Sequence, residues 1–400
     1  MINFTKMNKR KIFNDPVYGF ISIPFDTAFD VIQHPIFQRL RRIQQLGFSS
    51  LVYPGATHTR FHHSLGAMHL MTRALDTLKK KDIQIDTEEI EATVLAILMH
   101  DLGHGPYSHA LEHTLVDGVD HEVISKLLML ELEKEFGDSI TKAIQIFEDK
   151  HPKKFLHQLV SGQLDMDRMD YLNRDSFYTG VSEGVIGYDR IINMLNVEQD
   201  NIVVEEKGIY SIEKFLVARR LMYWQVYLHK TVLCAEILLK SIFNYIRNFG
   251  IKLDFDTPLN LFIENKFDKQ ASIEWLSDFC QLDDTDIVFA LKHLSKKKDP
   301  ILQKLIDALL YRQLFHIEFA DVQRINIIYE RLKLKYSAEE MDYLVFRGST
   351  SNNMYNTEKD NIFIQMKSGK TIDVASISEQ WNLDKISNPV VKYYIIYPKN

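Results

Sequence analysis

Apolar positions recur at intervals of three and four along most of the chain, the spacing of one helix face. In IFQRLRRIQQL, residues 36–46, Ile36, Phe37, Leu40, Ile43 and Leu46 form such a stripe, and Gly47 stands where a helix can end in the left-handed conformation. The same spacing predicts helices over 64–80, 87–101, 122–136, 153–160 and 166–175. A longer helix is predicted from Ser211, a residue suited to an N-cap, to about Asn248, with Gly250 near its end. Strand signals are sparse; NIVVE at 201–205 precedes a Lys-Gly turn. Toward the C-terminus the pattern changes. FIQMKSGKTIDV reads as a hairpin around Ser368-Gly369, VVKYYIIYP as a β-rich run, and GSTSNNMYNTE (348–358) as a polar loop or flap. The expected fold is mostly α: a large helical body over 1–315 and a small C-terminal α/β subdomain over 316–400.

Composition narrows the class. Across 400 residues, 46% hydrophobic and 26% charged is ordinary for a soluble globular enzyme. No apolar run has the length that spans a bilayer, and the basic N-terminus MINFTKMNKRKIF runs into a polar NDP instead of a signal-peptide core. Only Cys234 and Cys280 are present, which fits a reduced, cytoplasmic setting better than a disulfide framework. A formal charge of −6 argues against nucleic-acid coating and leaves room for a small polyanion in a local basic pocket.

The histidines are not spread evenly. Nine of the fifteen fall between His58 and His121, a bias that packing does not explain. The stretch LMHDLGHGPYSHALEH holds four of them. Helix 87–101 is expected to end near Gly103, with Pro106 opening the next helix. His100 and Asp101 are then neighbours in a last helical turn, and an imidazole beside a carboxylate suits a first-row divalent ion. The pair needs further ligands from elsewhere. His63 in RFHHSLG is one candidate, and DMDRMDYLNRD offers Asp165, Asp167, Asp170 and Asp175. On a helix, Asp167, Tyr171, Arg174 and Asp175 share one face, a poor composition for a core and a good one for a site. Single histidines such as His69, His113 and His229 are read as structural.

In order, His63, His100-Asp101 and Asp167 resemble the metal-dependent HD phosphohydrolase superfamily, and most closely its deoxynucleoside triphosphate (dNTP) triphosphohydrolase branch. The motifs FNDPVYGFI, FQRLRRIQQLG, YPGATHTRFHHSLG, HDLGHGPYSHALE, DHE, DMDRMDYLNRD and R-x3-Y-x3-YLHK carry the resemblance over about the first 230 residues. It implies an HD-domain helical bundle with one divalent transition metal on His63, His100, Asp101 and Asp167. Fe, Mn, Zn and Ni are not distinguished, and Mg accompanying the triphosphate stays open. Such a metal acidifies water and polarises a phosphoryl oxygen. The implied reaction is water attack on the α-phosphorus of a dNTP, releasing deoxynucleoside and intact triphosphate. By the same resemblance His109 is the general acid, with Glu112 holding its other nitrogen, although an aspartate is expected at that position. His104 and His121 face the α-phosphate, with a plain helix-start role for His121 as the alternative. Arg60, Arg168 (where a lysine is expected) and Arg219 clamp the triphosphate. Gln45, Tyr171 and Asp175 approach the sugar, and Tyr227 gates against a 2′-hydroxyl. Arg219, Tyr223, Tyr227 and Lys230 would form one stripe of the long helix.

The vertebrate enzyme of this branch is assembled by nucleotides bound between subunits, so the resemblance implies a dNTP substrate, a possible nucleotide activator and a homo-oligomer, dimer or tetramer, as partners. Neither a membrane nor a nucleic acid is expected. Asn14, Gln38 and Arg41 match parts of the activator pocket, whereas Gln33 aligns with an aspartate that reads guanine. A solvated helix face is the alternative for Arg39, Arg41 and Arg42. Two other functions stay open: a nucleotidase or phosphodiesterase acting on monophosphates or cyclic nucleotides, and a catalytically silent nucleotide-sensing or nucleic-acid-binding scaffold. Preferred base, native metal and physiological role are left undecided by these residues.

Overall fold

The computed structural model describes residues 11–264, 272–352, 361–377 and 390–399. The described chain begins with an antiparallel hairpin, β1 (Ile12–Asp15) and β2 (Gly19–Ser22). Asp15 Oδ1 accepts from the backbone N–H of Val17 and Tyr18, 2.9 Å each, and Gly19 takes φ +76°, which fixes the turn. Two short helices follow, α1 (Asp26–Gln33) and α2 (Pro35–Gln38). The helix expected over 36–46 does not run through. After α2 comes one tight turn at Arg39–Arg42, and Ile43 is extended. Its neighbours are drawn into backbone pairing with 57–60: Gln45 N–H donates to the His58 carbonyl and Arg60 N–H to the Ile43 carbonyl, both at 3.0 Å. Leu40 and Ile43 are buried all the same, so the apolar pattern located the core and misplaced the backbone.

The centre of the body is α3 (Arg60–Lys80), α4 (Thr87–Met99) and, across α3, α9 (Met166–Thr179). Helix α4 starts on an Asp86/Glu89 capping box and is buried from Ala92 to Met99, so its C-terminus lies inside the protein. No helix opens at Pro106. One tight turn (Ser108–Ala110) and α5 (Glu112–Leu115) follow instead, because Tyr107 and Ser108 are left-handed and Tyr107 N–H is held by Asp284 Oδ1 at 2.7 Å. Helices α6 (His121–Phe136), α7 (Asp138–Phe147) and α8 (Lys154–Val160) complete this side.

Beyond α9 the chain forms α10 (Tyr188–Met194), the hairpin β3 (Leu195–Glu198) and β4 (Asn201–Glu205), and α11 (Ile209–Met222). The single long helix expected from Ser211 is two helices. Residues Tyr223–Tyr227 make a π-turn, Leu228 leaves helical geometry, and His229 caps α12 (Lys230–Asn248) through Nδ1. Tyr53 donates its hydroxyl to the Gln225 carbonyl at 2.6 Å, giving that carbonyl a partner outside the helix. Arg219 and Lys230 therefore do not share a continuous stripe.

Helices α13 (Leu259–Glu264), α14 (Ser272–Phe279), α15 (Asp284–Leu294) and α16 (Pro300–Leu310) lead to the C-terminal part. There β5 (His316–Phe319), α17 (Val322–Lys333), α18 (Ala338–Leu344), β6 (Phe346–Asn352), β7 (Phe363–Gln365), β8 (Thr371–Asp373), α19 (Val374–Ile377) and β9 (Val390–Tyr397) follow. Strand β9 sits between β5 and β6, antiparallel to both. The expected hairpin is β7–β8, but β7 also pairs in parallel with β4, so it extends a sheet begun by the body. Residues 348–352 of the expected polar loop belong to β6, and 353–358 lie outside the described residues. The architecture is mostly helical with an N-terminal hairpin and small sheets that draw most of their strands from the C-terminal part, and no helix among the described residues is long and apolar enough to cross a membrane.

Candidate metal centre and nucleotide site

Three elements meet at the histidine cluster. Helix α3 supplies His63, the buried end of α4 supplies His100 and Asp101, and the first turn of α9 supplies Asp167. Coordinating atoms of His63, His100 and Asp101 lie within 4.8 Å of one another. Asp167 Oδ1 is 3.0 Å from His63 Nε2 and 3.5 Å from His100 Nε2, and Asp101 Oδ1 is 3.3 Å from His100 Nε2.

The far side of each ring is spoken for. His63 Nδ1 is 2.8 Å from Asp170 Oδ2, and His100 Nδ1 is 2.6 Å from the Ile97 carbonyl. These partners engage both Nδ1 atoms and turn both buried Nε2 atoms inward, toward Asp101 and Asp167. Two imidazole lone pairs and two carboxylates converging in a buried space fit a divalent first-row metal. Charge agrees. Burial alone would lower the His63 pKa, but Asp167 and Asp170 raise it to about 10, and Asp101 and Asp167 raise that of His100. Against the cost of burial, the imidazoles pull Asp167 well below the carboxylate range, and His100 with Arg60 does the same for Asp101.

Beside this cluster lies a second group. His104 Nε2 is 3.3 Å from Asp101 Oδ1, and its ring stacks on His121 with centroids 3.9 Å apart. Burial and the nearby Arg60 charge keep His104 well below the usual histidine range, so it stays neutral. Glu112 pairs with His121 Nδ1 and accepts its backbone N–H at 3.0 Å. Glu112 thus holds His121, the residue at the start of α6; the His109 side chain lies outside the described residues.

The residues expected near the sugar also come together. Tyr171 and Tyr227 pack edge to face at 5.9 Å, Tyr223 and Tyr227 at 5.1 Å, and Tyr227 donates its hydroxyl to Asp175 Oδ2 at 2.9 Å. The π-turn puts Tyr223 and Tyr227 in contact without a regular helix. Gln45 Oε1 is buried without a hydrogen bond. The expected phosphate arginines differ in setting. Arg60 donates to Asp101 and, at 2.9 Å, to Ser108 Oγ, so it is tied to the Asp101 carboxylate. Arg168 donates to Asp165 Oδ2 at 3.1 Å and Arg219 to Gln163 Oε1 at 3.2 Å, and each keeps a buried Nε without a hydrogen bond. Arg174, placed by sequence on the site face of α9, instead points to the back of the site, toward Asp170 and Asp15.

Toward the hairpin, Gln38 accepts from Arg41 Nε at 2.8 Å, and Arg41 lies over the Phe61 ring at 3.6 Å. Phe13, next to the exposed Asn14, packs on the same ring. A solvated face describes Arg41 and half-exposed Arg42 but not Arg39, which is 1% exposed. Sequence reasoning gave no role to Arg39 or to His58. His58 is buried, stacks on Tyr178 at 4.4 Å and meets Asp175 at 2.7 Å. Its place two residues before Arg60 was the available signal.

Two family models match the chain: the HD domain over residues 60–175 and the HD associated region over 186–251. A crystal structure of a phosphohydrolase from Bacteroides thetaiotaomicron superposes with a TM-score of 0.91 at 47% identity, covering 98% of this chain and all of that one. The chain belongs to the HD-domain phosphohydrolase family. The uncharacterized protein YwfO of Bacillus subtilis is 32% identical over 88% of this chain and 82% of its own length. A deoxynucleoside triphosphate triphosphohydrolase SAMHD1 homolog of Dictyostelium discoideum is 29% identical over 85% of this chain and 65% of its own. For an HD phosphohydrolase, the match over 60–175 begins at Arg60, takes in His63, His100, Asp101 and Asp167, and ends at Asp175.

Proposed function

We propose that this protein is a metal-dependent dNTP triphosphohydrolase, releasing deoxynucleoside and inorganic triphosphate. The observation that carries the reading is the junction of two clusters on one helix: α9 contributes Asp167 to the metal centre and Tyr171 and Asp175 to the aromatic wall with Tyr227. A substrate bridging them has a phosphate at one end and a hydroxyl-bearing ring at the other, as the sugar phosphate of a nucleotide does. The similarity to a relative named as a dNTP triphosphohydrolase supports the same substrate.

His63, His100, Asp101 and Asp167 would hold the metal, which supplies a Lewis acid and lowers the pKa of water. Arg168 and Arg219 offer guanidinium forks to the triphosphate, and Arg60 orients Asp101. Neutral His104, stacked on His121, contacts the α-phosphate. His109 delivers the proton that O5′ needs as the P–O5′ bond breaks. Tyr227, hydrogen-bonded to Asp175, closes the 2′ side of the sugar, Tyr171 and Asp175 contact its 3′-hydroxyl, and Gln45 approaches the sugar. Asn14, Gln38 and Arg41 border an activator pocket between subunits of a cytoplasmic homo-oligomer.

The test is product analysis. Metal-loaded protein is incubated with each dNTP, singly and in mixtures, and deoxynucleoside and inorganic triphosphate are expected. Orthophosphate, or turnover of monophosphates or cyclic nucleotides alone, would replace this reading with a nucleotidase or phosphodiesterase. No turnover of any nucleotide would leave a silent sensor.

A further inference from the structure

Behind His63 runs a continuous buried chain of charges that ends in the N-terminal hairpin. His63 Nδ1 meets Asp170 Oδ2 at 2.8 Å. Arg174, one turn further along α9, grips Asp170 with Nε at 3.0 Å and Nη2 at 3.0 Å. Its other edge reaches Asp15, with Nη1 2.7 Å from Oδ2. Asp15 Oδ1 then accepts the two backbone N–H groups of the hairpin turn. His63, Asp170 and Arg174 are fully buried and Asp15 is 8% exposed, so solvent screens none of these steps appreciably. Space for the chain is reserved: a Cβ on Gly66 would lie 2.0 Å from Asp170 Oδ1 and 2.2 Å from Arg174 Nη2.

The geometry points to Asp15 and Arg174 as positioning residues for the metal centre, with the N-terminal hairpin as an integral part of its support. Asp170 can fix the His63 ring only if its own oxygens are fixed, and both are engaged by Arg174. Arg174 has a single orientation because its fork is shared between two carboxylates on opposite sides. Displacing the hairpin frees one side of that fork, and the His63 ring loses its orientation. The inference rests on His63 as a metal ligand and not on the identity of the substrate.

Asp15→Asn separates the charge link from the turn. The retained Oδ1 still accepts from Val17 and Tyr18, whereas the new amide N–H2 faces the Arg174 donors. Co2+ affinity of the folded variant, read from its visible absorption, is expected to weaken about tenfold or more, with altered band shape. Ile12→Ala, an exposed change in the same hairpin, should leave it unchanged. A purely structural Asp15 would lower the melting temperature and leave the Co2+ affinity within twofold of the parent, which overturns the inference. A second measurement needs no variant: coupling is reciprocal, so Co2+ loading should slow hydrogen exchange at the Val17 and Tyr18 amides. Unchanged exchange on loading also overturns it. If the parent protein takes up no Co2+, the metal reading itself falls and this one with it; failed dNTP hydrolysis alone touches neither measurement.

Discussion

His58 Nε2 lies 2.7 Å from Asp175 Oδ1, and the other oxygen of that carboxylate accepts the Tyr227 hydroxyl at 2.9 Å. The carboxylate is held from both sides before any ligand arrives. If Asp175 contacts the 3′-hydroxyl, His58 governs how well it does so. Removing His58 leaves a buried acceptor short of a partner, at a cost of about 1–3 kcal/mol. We expect His58→Ala to lower kcat/KM for dNTPs about ten- to hundredfold and to affect a 3′-deoxy analogue far less. Equal losses on both substrates would separate His58 from sugar recognition.

Arg39 holds the HD loop from behind. Its Nη2 donates to the Leu102 carbonyl at 2.6 Å and its Nη1 to the His104 carbonyl at 2.9 Å, clamping the backbone that carries Asp101 and His104. Arg39→Met keeps the length of the side chain and strands both carbonyls in a dry interior. A loss of about 2–4 kcal/mol in urea unfolding is expected, and an unchanged midpoint would show that the loop holds itself.

How far the sequence revealed this molecule depends on the range of the interaction. The histidine bias and the adjacent His100-Asp101 pair are local features that the chain displays by itself, whereas the full set His63, His100, Asp101 and Asp167 comes from the family resemblance, because spacing alone leaves Asp165, Asp167, Asp170 and Asp175 open. The role of Arg39 is hidden because its partners are distant in the chain. A solvated helix face shared with Arg41 and Arg42 is one reading of it, but residues 43–45 pair with 57–60, the helix has ended by then, and Arg39 is buried. The break at Tyr223–Tyr227 likewise depends on Tyr53, some 170 residues earlier in the chain. The ion chain behind His63 joins segments that no periodicity connects. Tertiary partners made each of these local decisions.

Glu236 gives a pH test away from the site. Burial raises its pKa from the usual glutamate value to about 7, and Lys240, one turn on, offsets only part of this. A raised acid pKa means that the folded protein holds this proton more tightly than the unfolded chain. The resulting stability is complete below about pH 4.5 and is lost as pH rises through about 7. Glu236→Gln cannot ionise. Its melting temperature should exceed the parent's at pH 8, by the equivalent of about 1–2 kcal/mol after allowance for partial exposure. The difference should vanish at pH 4.5. A constant difference across that range would place the effect in packing rather than charge.

Metal uptake should be paid in protons. With His63 raised to about 10 by Asp167 and Asp170, the metal-free site is protonated at neutral pH. A metal ligand must give that proton up, so binding at pH 7.5 releases at least one proton, and apparent affinity rises about tenfold per pH unit for each proton displaced until the imidazole is neutral. Calorimetry with Zn2+ or Mn2+ in two buffers of different ionisation enthalpy counts the protons directly. Free metal at a hundredfold excess over Kd should also stabilise the fold by about 2.7 kcal/mol, a shift that His100→Ala with Asp101→Ala should abolish. Binding without proton release would show that His63 is already neutral in the metal-free protein and would overturn the proton-linked affinity.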